Sequence, residues 1–235
     1  MMYNKIKKLF KKKEINSFDK IYSNYFSNQK IVVFDVGANF GQSINRFDKL
    51  LNVSKYYSFE PLKECHNFLL KKYNDKKFYH INNALGLKEE SKLFYVNNKK
   101  ANSSFHKLNT NSKWWQSKKD RYKNHNIAEK RNISLTSLDI FLKKNYVTNI
   151  DILKIDTQNH EDEVLLGSNE TLKQKKINFI ELEINVGNGY LKSLSFFDIE
   201  SILNNYNYSL YGINNDGNLL ENSNLQFDVL YKLNE

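Results

Sequence analysis

From residue 31 to 184, short unbroken apolar blocks alternate with stretches whose apolar positions fall at helical spacing. Ile31-Val32-Val33-Phe34-Asp35-Val36 is a continuous β-branched and aromatic run, the pattern of a strand buried on both faces. Residues 42–51 then place Ile44, Phe47, Leu50 and Leu51 on one helical side. Tyr56 to Phe59 predicts a second strand, stopped by Glu60-Pro61, with Pro61 opening a helix over 62–73. Phe78 to Ile81 is a third strand, and Leu93 to Val96 one arm of a hairpin. Ser134–Thr136 predicts a short strand, 137–144 a short helix, and Ile150–Ile155 a fourth core strand. A helix over 161–175, a strand over 177–184, a helix over 195–205 and strands at 208–213 and 226–232 complete the chain. Strands alternating with helices imply right-handed βαβ units and a mostly parallel α/β sheet. The final pair of strands implies an antiparallel edge.

Two stretches break this rhythm. Residues 1–29 carry Lys5, Lys7, Lys8, Lys11, Lys12 and Lys13 around Ile6, Leu9 and Phe10. We read them as a basic, solvated extension, with contact to a membrane surface or an acidic partner as the alternative. Residues 99–131 are polar and basic, with Trp114-Trp115 in the middle. They form an insertion within a domain spanning 30–235, and no repeat or linker divides that domain further.

Composition narrows the classes. At 40% hydrophobic and 14% aromatic residues the chain can bury a sizeable core. A lone cysteine, Cys65, excludes a disulfide framework and a multi-cysteine zinc site. No apolar run approaches the roughly 20 residues that cross a bilayer, and the basic start lacks the features of a signal peptide. The expectation is a soluble cytoplasmic protein. The net charge of +10 invites a nucleic-acid partner. Lysine is scattered along the whole chain, however, and we do not expect nucleic acid to be the partner.

Candidate chemistry starts at Asp35-Val36-Gly37-Ala38-Asn39-Phe40-Gly41, where the first strand ends. In open α/β sheets this turn is where a nucleotide-like ligand binds, and Gly37 removes a Cβ from its path. Glu60 ends the second strand about 20 residues later, where a carboxylate accepts both ribose hydroxyls. No phosphate-cradling G-x-G-x-x-G or G-x-x-x-x-G-K-[ST] spacing is present. A ribose acceptor without a pyrophosphate cradle suits S-adenosylmethionine better than NAD. Asp35 agrees, since its charge suits a cationic methionine end and opposes a pyrophosphate.

With these pieces in order, the chain resembles the FkbM-type methyltransferases over residues 31–231. The resemblance rests on the first turn, Phe59-Glu60-Pro61, Asn83-Ala84-Leu85-Gly86, Asn102-Ser103-Ser104-Phe105 and Ser137-Leu138-Asp139. It continues through Leu153-Lys154-Ile155-Asp156-Thr157-Gln158-Asn159-His160-Glu161, Val164-Leu165-Leu166-Gly167 and Ile180-Glu181-Leu182-Glu183-Ile184. It implies the Rossmann-like class I methyltransferase fold, a seven-stranded sheet with helices on both faces, and S-adenosylmethionine as cofactor. Asp35, Gly37, Ala38, Asn39, Gly41 and Glu60 would hold methionine and ribose, and Asn83 and Ala84 would lie near the adenine. The implied reaction is O-methylation of a sugar, glycan or other small molecule; the alternatives are methylation of nucleic acid and a binding module that keeps the fold without the reaction. The family usually has glycine where this chain has Asn159, a residue that tolerates left-handed backbone better than most.

Methyl transfer to a hydroxyl needs aligned partners and often a base. Asp156 ends the fourth strand on the ligand-binding edge, and His160 and Glu161 open the next helix. His160 is a candidate general base, with Asp156 and Glu161 as carboxylates that orient it. The alternative for Glu161 is a purely structural place in the first helical turn. Asp156, His160, Glu161 and Glu183 would also suit Mg²⁺, although no metal is assigned. Lys154 is a candidate buried partner of Glu181 or Glu183. Cys65 has no base beside it, and His66, His80, His106 and His125 share no spacing. In the insertion, Ser103 and Ser104 can bond cofactor or acceptor. Trp114 and Trp115 can stack on a ring, and Lys113, Lys118, Lys119, Arg121 and Lys123 can bind an anion. The opposing reading is a lid whose tryptophans pack down and whose lysines face water.

Overall fold

The computed structural model describes residues 17–112, 115–116, 127–185, 188–192, 194–214 and 226–234. The basic stretch 1–16, Lys113, Trp114, Lys118, Lys119, Arg121, Lys123 and His125 lie outside the described residues.

Seven strands form the central sheet: β1 (Ile31–Val36), β2 (Val53–Phe59), β3 (Phe78–Ile81), β7 (Ile150–Ile155), β8 (Ile177–Asn185), β9 (Tyr208–Asn214) and β10 (Gln226–Leu233). Their order is β3-β2-β1-β7-β8-β10-β9. Every pair from β3 to β8 is parallel, and β10 runs antiparallel to both β8 and β9. The reversed strand of the closing pair is thus β10, one place in from the edge. The chain order jumps from β3 to β7, so β1 and β7 are neighbours with crossovers on either side. That switch point is where such sheets hold ligands.

Helices cover both faces. α1 (Ser17–Tyr25), α2 (Gln42–Leu50) and α3 (Lys63–Lys72) lie on one side; α4 (Leu138–Asn145), α5 (Glu161–Leu166), α6 (Asn169–Lys173) and α7 (Phe196–Asn204) lie on the other. Strand alternation supplies both cores. Phe34, Leu153, Ile155, Ile180 and Leu182 face the second group, while Val33, Ile152 and Phe179 face the first. The expected helix over 161–175 is two short helices. Gly167 sits between them because a Cβ there would lie 2.0 Å from the Gly86 carbonyl oxygen.

Residues 17–25 form a docked helix, where the sequence suggested solvated extension. Phe18, Tyr22 and Phe26 recur every four residues and are buried, Tyr22 edge-on to Phe47 and Phe179. Tyr22 donates to Glu181 Oε2 at 2.8 Å, and Arg46 on α2 bonds both Glu181 Oε1 and Asp19 at 2.6 Å.

A second sheet, β4 (Ala84–Leu85), β6 (Ile127–Thr136) and β5 (Glu90–Asn97), stands beside the first, with β6 in the middle. β5 and β6 pair antiparallel from Glu90↔Leu135 to Asn97↔Ile127. The expected irregular stretch 99–131 therefore gives way to strand at Ile127, and the insertion is the loop of a long hairpin.

Replacing Phe18 with alanine should lower unfolding stability by about 3 kcal/mol, since it empties a fully buried aromatic site. Urea denaturation checks this. An unchanged midpoint would mean that α1 is not part of the core.

Candidate active site

The turn after β1 is built from left-handed residues, Gly37 (φ 88°), Asn39 (φ 49°) and Gly41 (φ 80°). A Cβ on Gly37 would lie 2.0 Å from the carbonyl oxygen of Asp156, so only glycine lets the ends of β1 and β7 approach this closely. Gly37 and Ala38 both donate to the Phe59 carbonyl, at 3.0 and 3.1 Å. Glu60 completes the junction: its Oε2 accepts from Asn39 N and its Oε1 from Leu62 N, both at 2.8 Å. Burial pushes the Glu60 carboxyl up to about 7, with the two backbone donors opposing the rise.

These elements form one wall of a cavity of about 250 Å³. Gly37, Ala38, Asn39, Gln42 and Ser43 make a polar end. Leu62, Ala84, Leu85, Phe94 and Phe105 supply apolar lining, and Glu60 lies among the lining residues too. Lys100, Ala101 and Ser103 come from the hairpin loop, and Asp156, Thr157 and Gln158 from the turn after β7. The set fits S-adenosylmethionine: an apolar slot for a purine, a buried carboxylate for ribose hydroxyls, and a polar end for the amino-acid part.

Several expected site residues stand back from the cavity. Asp35 is fully buried beneath it, accepting from the Tyr56 hydroxyl at 2.9 Å, and burial pushes its carboxyl up to about 6. Gly41 caps α2, where Tyr73 packs over it and donates to its carbonyl at 2.9 Å. Asn83 does not line the cavity; its Oδ1 accepts from Ala84 N at 3.1 Å. Ser103 does line it, while accepting from Asn97 N at 2.9 Å.

Asp156 lines the cavity as well, and its Oδ1 accepts from Gln158 Nε2 at 2.9 Å. Lys154 reaches Asp156 Oδ2 at 3.4 Å, a nearer partner than the Glu181 or Glu183 suggested by strand alternation. Burial alone would discharge Lys154, but Asp156, Asp35, Glu181 and Asp228 together hold it charged.

His160 is fully buried outside the cavity. It packs on Phe105 (4.6 Å between ring centroids) and His106 (5.7 Å), and neither of its nitrogens has a hydrogen-bond partner. Burial pushes its pKa down to about 3, so it is neutral at ordinary pH but reaches no reacting atom. Glu161 is buried too, and its Oε1 accepts from Thr157 N at 2.9 Å and Thr157 Oγ1 at 3.1 Å. That closes the turn as a helix-start carboxylate does, the structural alternative given above. Asn159 adopts φ 77°, so the turn survives the loss of glycine, and its Nδ2 donates to the Lys192 carbonyl at 2.7 Å.

No cluster of three metal-binding side chains occurs among the described residues. Between Asp156 and Glu183 stands the Gln158 amide, donating to Asp156 Oδ1 at 2.9 Å and Glu183 Oε2 at 2.7 Å. Gln158, Phe105 and Lys100 were not singled out individually in the sequence, though the first two lie inside its motif blocks. Cys65 is buried and its thiol is pushed up to about 12, chiefly by burial.

Residues 35–210 match the family model of the methyltransferase FkbM domain. The chain belongs to the FkbM methyltransferase family. Among solved structures, it is similar to the methyltransferase FkbM from Methylobacillus flagellatus KT (TM-score 0.56, 13% identity). That match covers 86% of this chain and 43% of that one, so the chain spans less than half the length of this relative. A putative S-adenosylmethionine-dependent methyltransferase from Listeria monocytogenes gives a TM-score of 0.49 at 6% identity, covering 88% of this chain and 92% of that one. TrmK of M. capricolum, solved with S-adenosylhomocysteine, gives 0.49 at 11%, covering 93% and 69%. Comparison with curated proteins gives no match. As an FkbM methyltransferase the protein uses S-adenosylmethionine. No helix among the described residues is long and apolar enough to cross a membrane.

Only ionised Glu60 offers full acceptor strength to ribose hydroxyls. S-adenosylhomocysteine affinity should therefore rise about tenfold per pH unit on approaching pH 7 from below, then level off. Titration calorimetry from pH 5.5 to 8.5 checks this, and Glu60→Gln should bind weakly with no such slope. A flat wild-type profile would remove Glu60 from the ribose site.

Proposed function

We propose that this FkbM methyltransferase transfers the methyl group to a hydroxyl of a sugar, glycan or other small molecule. The bound cofactor supplies an electrophilic methyl group on a positively charged sulfur. The observation that carries the reading is that Glu60 and Asp156 both line one cavity, just beyond the ends of β2 and β7, the two strands that flank β1. A ribose held at Glu60 and a methionine end at Gly37–Ser43 would direct the reactive end of the cofactor toward Asp156.

Asp156 is then the acceptor-side group. Its carboxylate accepts the hydrogen bond of an incoming hydroxyl, aligns the oxygen for in-line displacement and takes up the proton as the new bond forms. Lys154 lies 3.4 Å from its Oδ2 and fixes that side of the carboxylate. Glu161 shapes the turn that presents Asp156, and His160 fills the space behind that turn.

The test is transfer of labelled methyl from S-adenosylmethionine to a panel of mono- and oligosaccharides, using wild type, Asp156→Asn and His160→Gln. Asp156→Asn should lower kcat at least about 100-fold with S-adenosylhomocysteine affinity retained. His160→Gln should remain within about tenfold of wild type once its folded fraction is accounted for. A collapse of kcat in His160→Gln alone would return the base role to the imidazole. Failure of wild type to label any hydroxyl-bearing acceptor, with cofactor bound, would defeat the O-methylation reading.

A further inference from the structure

Residues 188–192, after β8, touch both the hairpin loop and the turn after β7. Their backbone pairs with the hairpin loop: Leu191 N donates to the Lys107 carbonyl at 2.8 Å, and Asn109 N to the Gly189 carbonyl at 2.9 Å. Tyr190 is buried at their centre, in an apolar cluster with Leu108 and Trp115. Trp115 sits one short turn beyond Ser112, whose Oγ accepts from its backbone N at 3.0 Å.

The same Tyr190 reaches the cavity wall. Its hydroxyl lies 3.1 Å from Gln158 Oε1 and 3.3 Å from the Asn102 carbonyl. The Gln158 amide has a determined orientation, because two carboxylates, Asp156 and Glu183, each require one of its N–H bonds. Its oxygen must therefore turn away from them, and Tyr190 is the donor it meets. Gln158 can make this double contact because it and Asn159 are both left-handed, at φ 57° and 77°, which folds the side chain back over the strand ends. Ser104 Oγ donates to the Gln158 carbonyl at 2.6 Å, and Asn159 Nδ2 and Asp162 hold the backbone and side chain of Lys192.

We propose that Tyr190 is a positioning residue that couples occupancy of the cofactor cavity to the segment bearing Trp115. Gln158 and Asp156 line the cavity, so a bound cofactor presses on the group that Tyr190 holds. Tyr190 in turn is packed against Leu108 and Trp115, so a shift of the Gln158 amide is passed to the hairpin loop.

Both tryptophans of the chain, Trp114 and Trp115, lie in this segment, so intrinsic tryptophan emission reports on it alone. The experiment follows that emission while the full chain is titrated with S-adenosylhomocysteine, beside calorimetry and thermal unfolding. Wild type should show a saturable change at the calorimetric midpoint. Tyr190→Phe keeps the ring and the packing but loses the hydroxyl. It should lose more than half of the emission change and bind about threefold more weakly, the effect of one neutral hydrogen bond. Gln158→Met should give the same loss, and the double variant should be no worse than the worse single, as expected for two partners in one contact. Emission that ignores the ligand in wild type overturns the proposal, as does an undiminished change in Tyr190→Phe or additive losses in the double variant.

Discussion

The carbonyl oxygen of Asp156 occupies the space in which any other residue at position 37 would place its Cβ. β1 and β7 are parallel neighbours, and beyond their ends the two chains must diverge to opposite faces of the sheet. The absence of a side chain at Gly37 lets them stay in contact one residue longer than strand geometry requires. Asp156 N still bonds the Val36 carbonyl at 2.9 Å. Cavity-lining residues on both sides are placed from that contact, because Asn39 follows Gly37 on one chain and Thr157 and Gln158 follow Asp156 on the other.

Below the contact, the sheet carries a row of polar residues on the α1–α2 face. Ser58, Asp35, Lys154 and Glu181 are consecutive partners across β2, β1, β7 and β8. Buried charge is costly unless paired, and here Lys154 sits in register between two carboxylates while Arg46 and Tyr22 close over Glu181. The row explains why α1 is docked. Without Tyr22 and Asp19, Glu181 and Arg46 would each lose a partner.

The succession of strands and helices, the glycine turn and the positions of Glu60 and Asp156 at strand ends were legible in the sequence because each is a local signal: a block of apolar residues, a glycine, a carboxylate after an apolar run. α1 was obscured by the lysine-rich stretch before it, although Phe18, Tyr22 and Phe26 carry a helical period. His160 and Glu161 were placed near the chemistry by adjacency to Asp156. Adjacency does not fix direction: two left-handed residues reverse the chain at 158–159 and turn both side chains inward. Tyr190 gave no signal at all. It lies 32 residues from Gln158 and 88 from Asn102, and only tertiary packing brings the three together. Asn159 shows the converse. Its left-handed tolerance could be read in advance, but its bond to the Lys192 carbonyl could not.

The loop of the β5–β6 hairpin brings Lys100, Ala101, Ser103 and Phe105 to the cavity, and that hairpin belongs to the small sheet, outside the seven-stranded one. Lengthening a loop costs little once its ends are fixed, since closure entropy grows only with the logarithm of length. The ends here are fixed by the β5–β6 ladder, which runs back as far as Glu90 and Leu135. Changes of length beyond Ser112 can therefore accumulate without disturbing the register of the seven-stranded sheet. The ladder thus separates the part of the chain that is free to vary from the part that holds the seven strands in place.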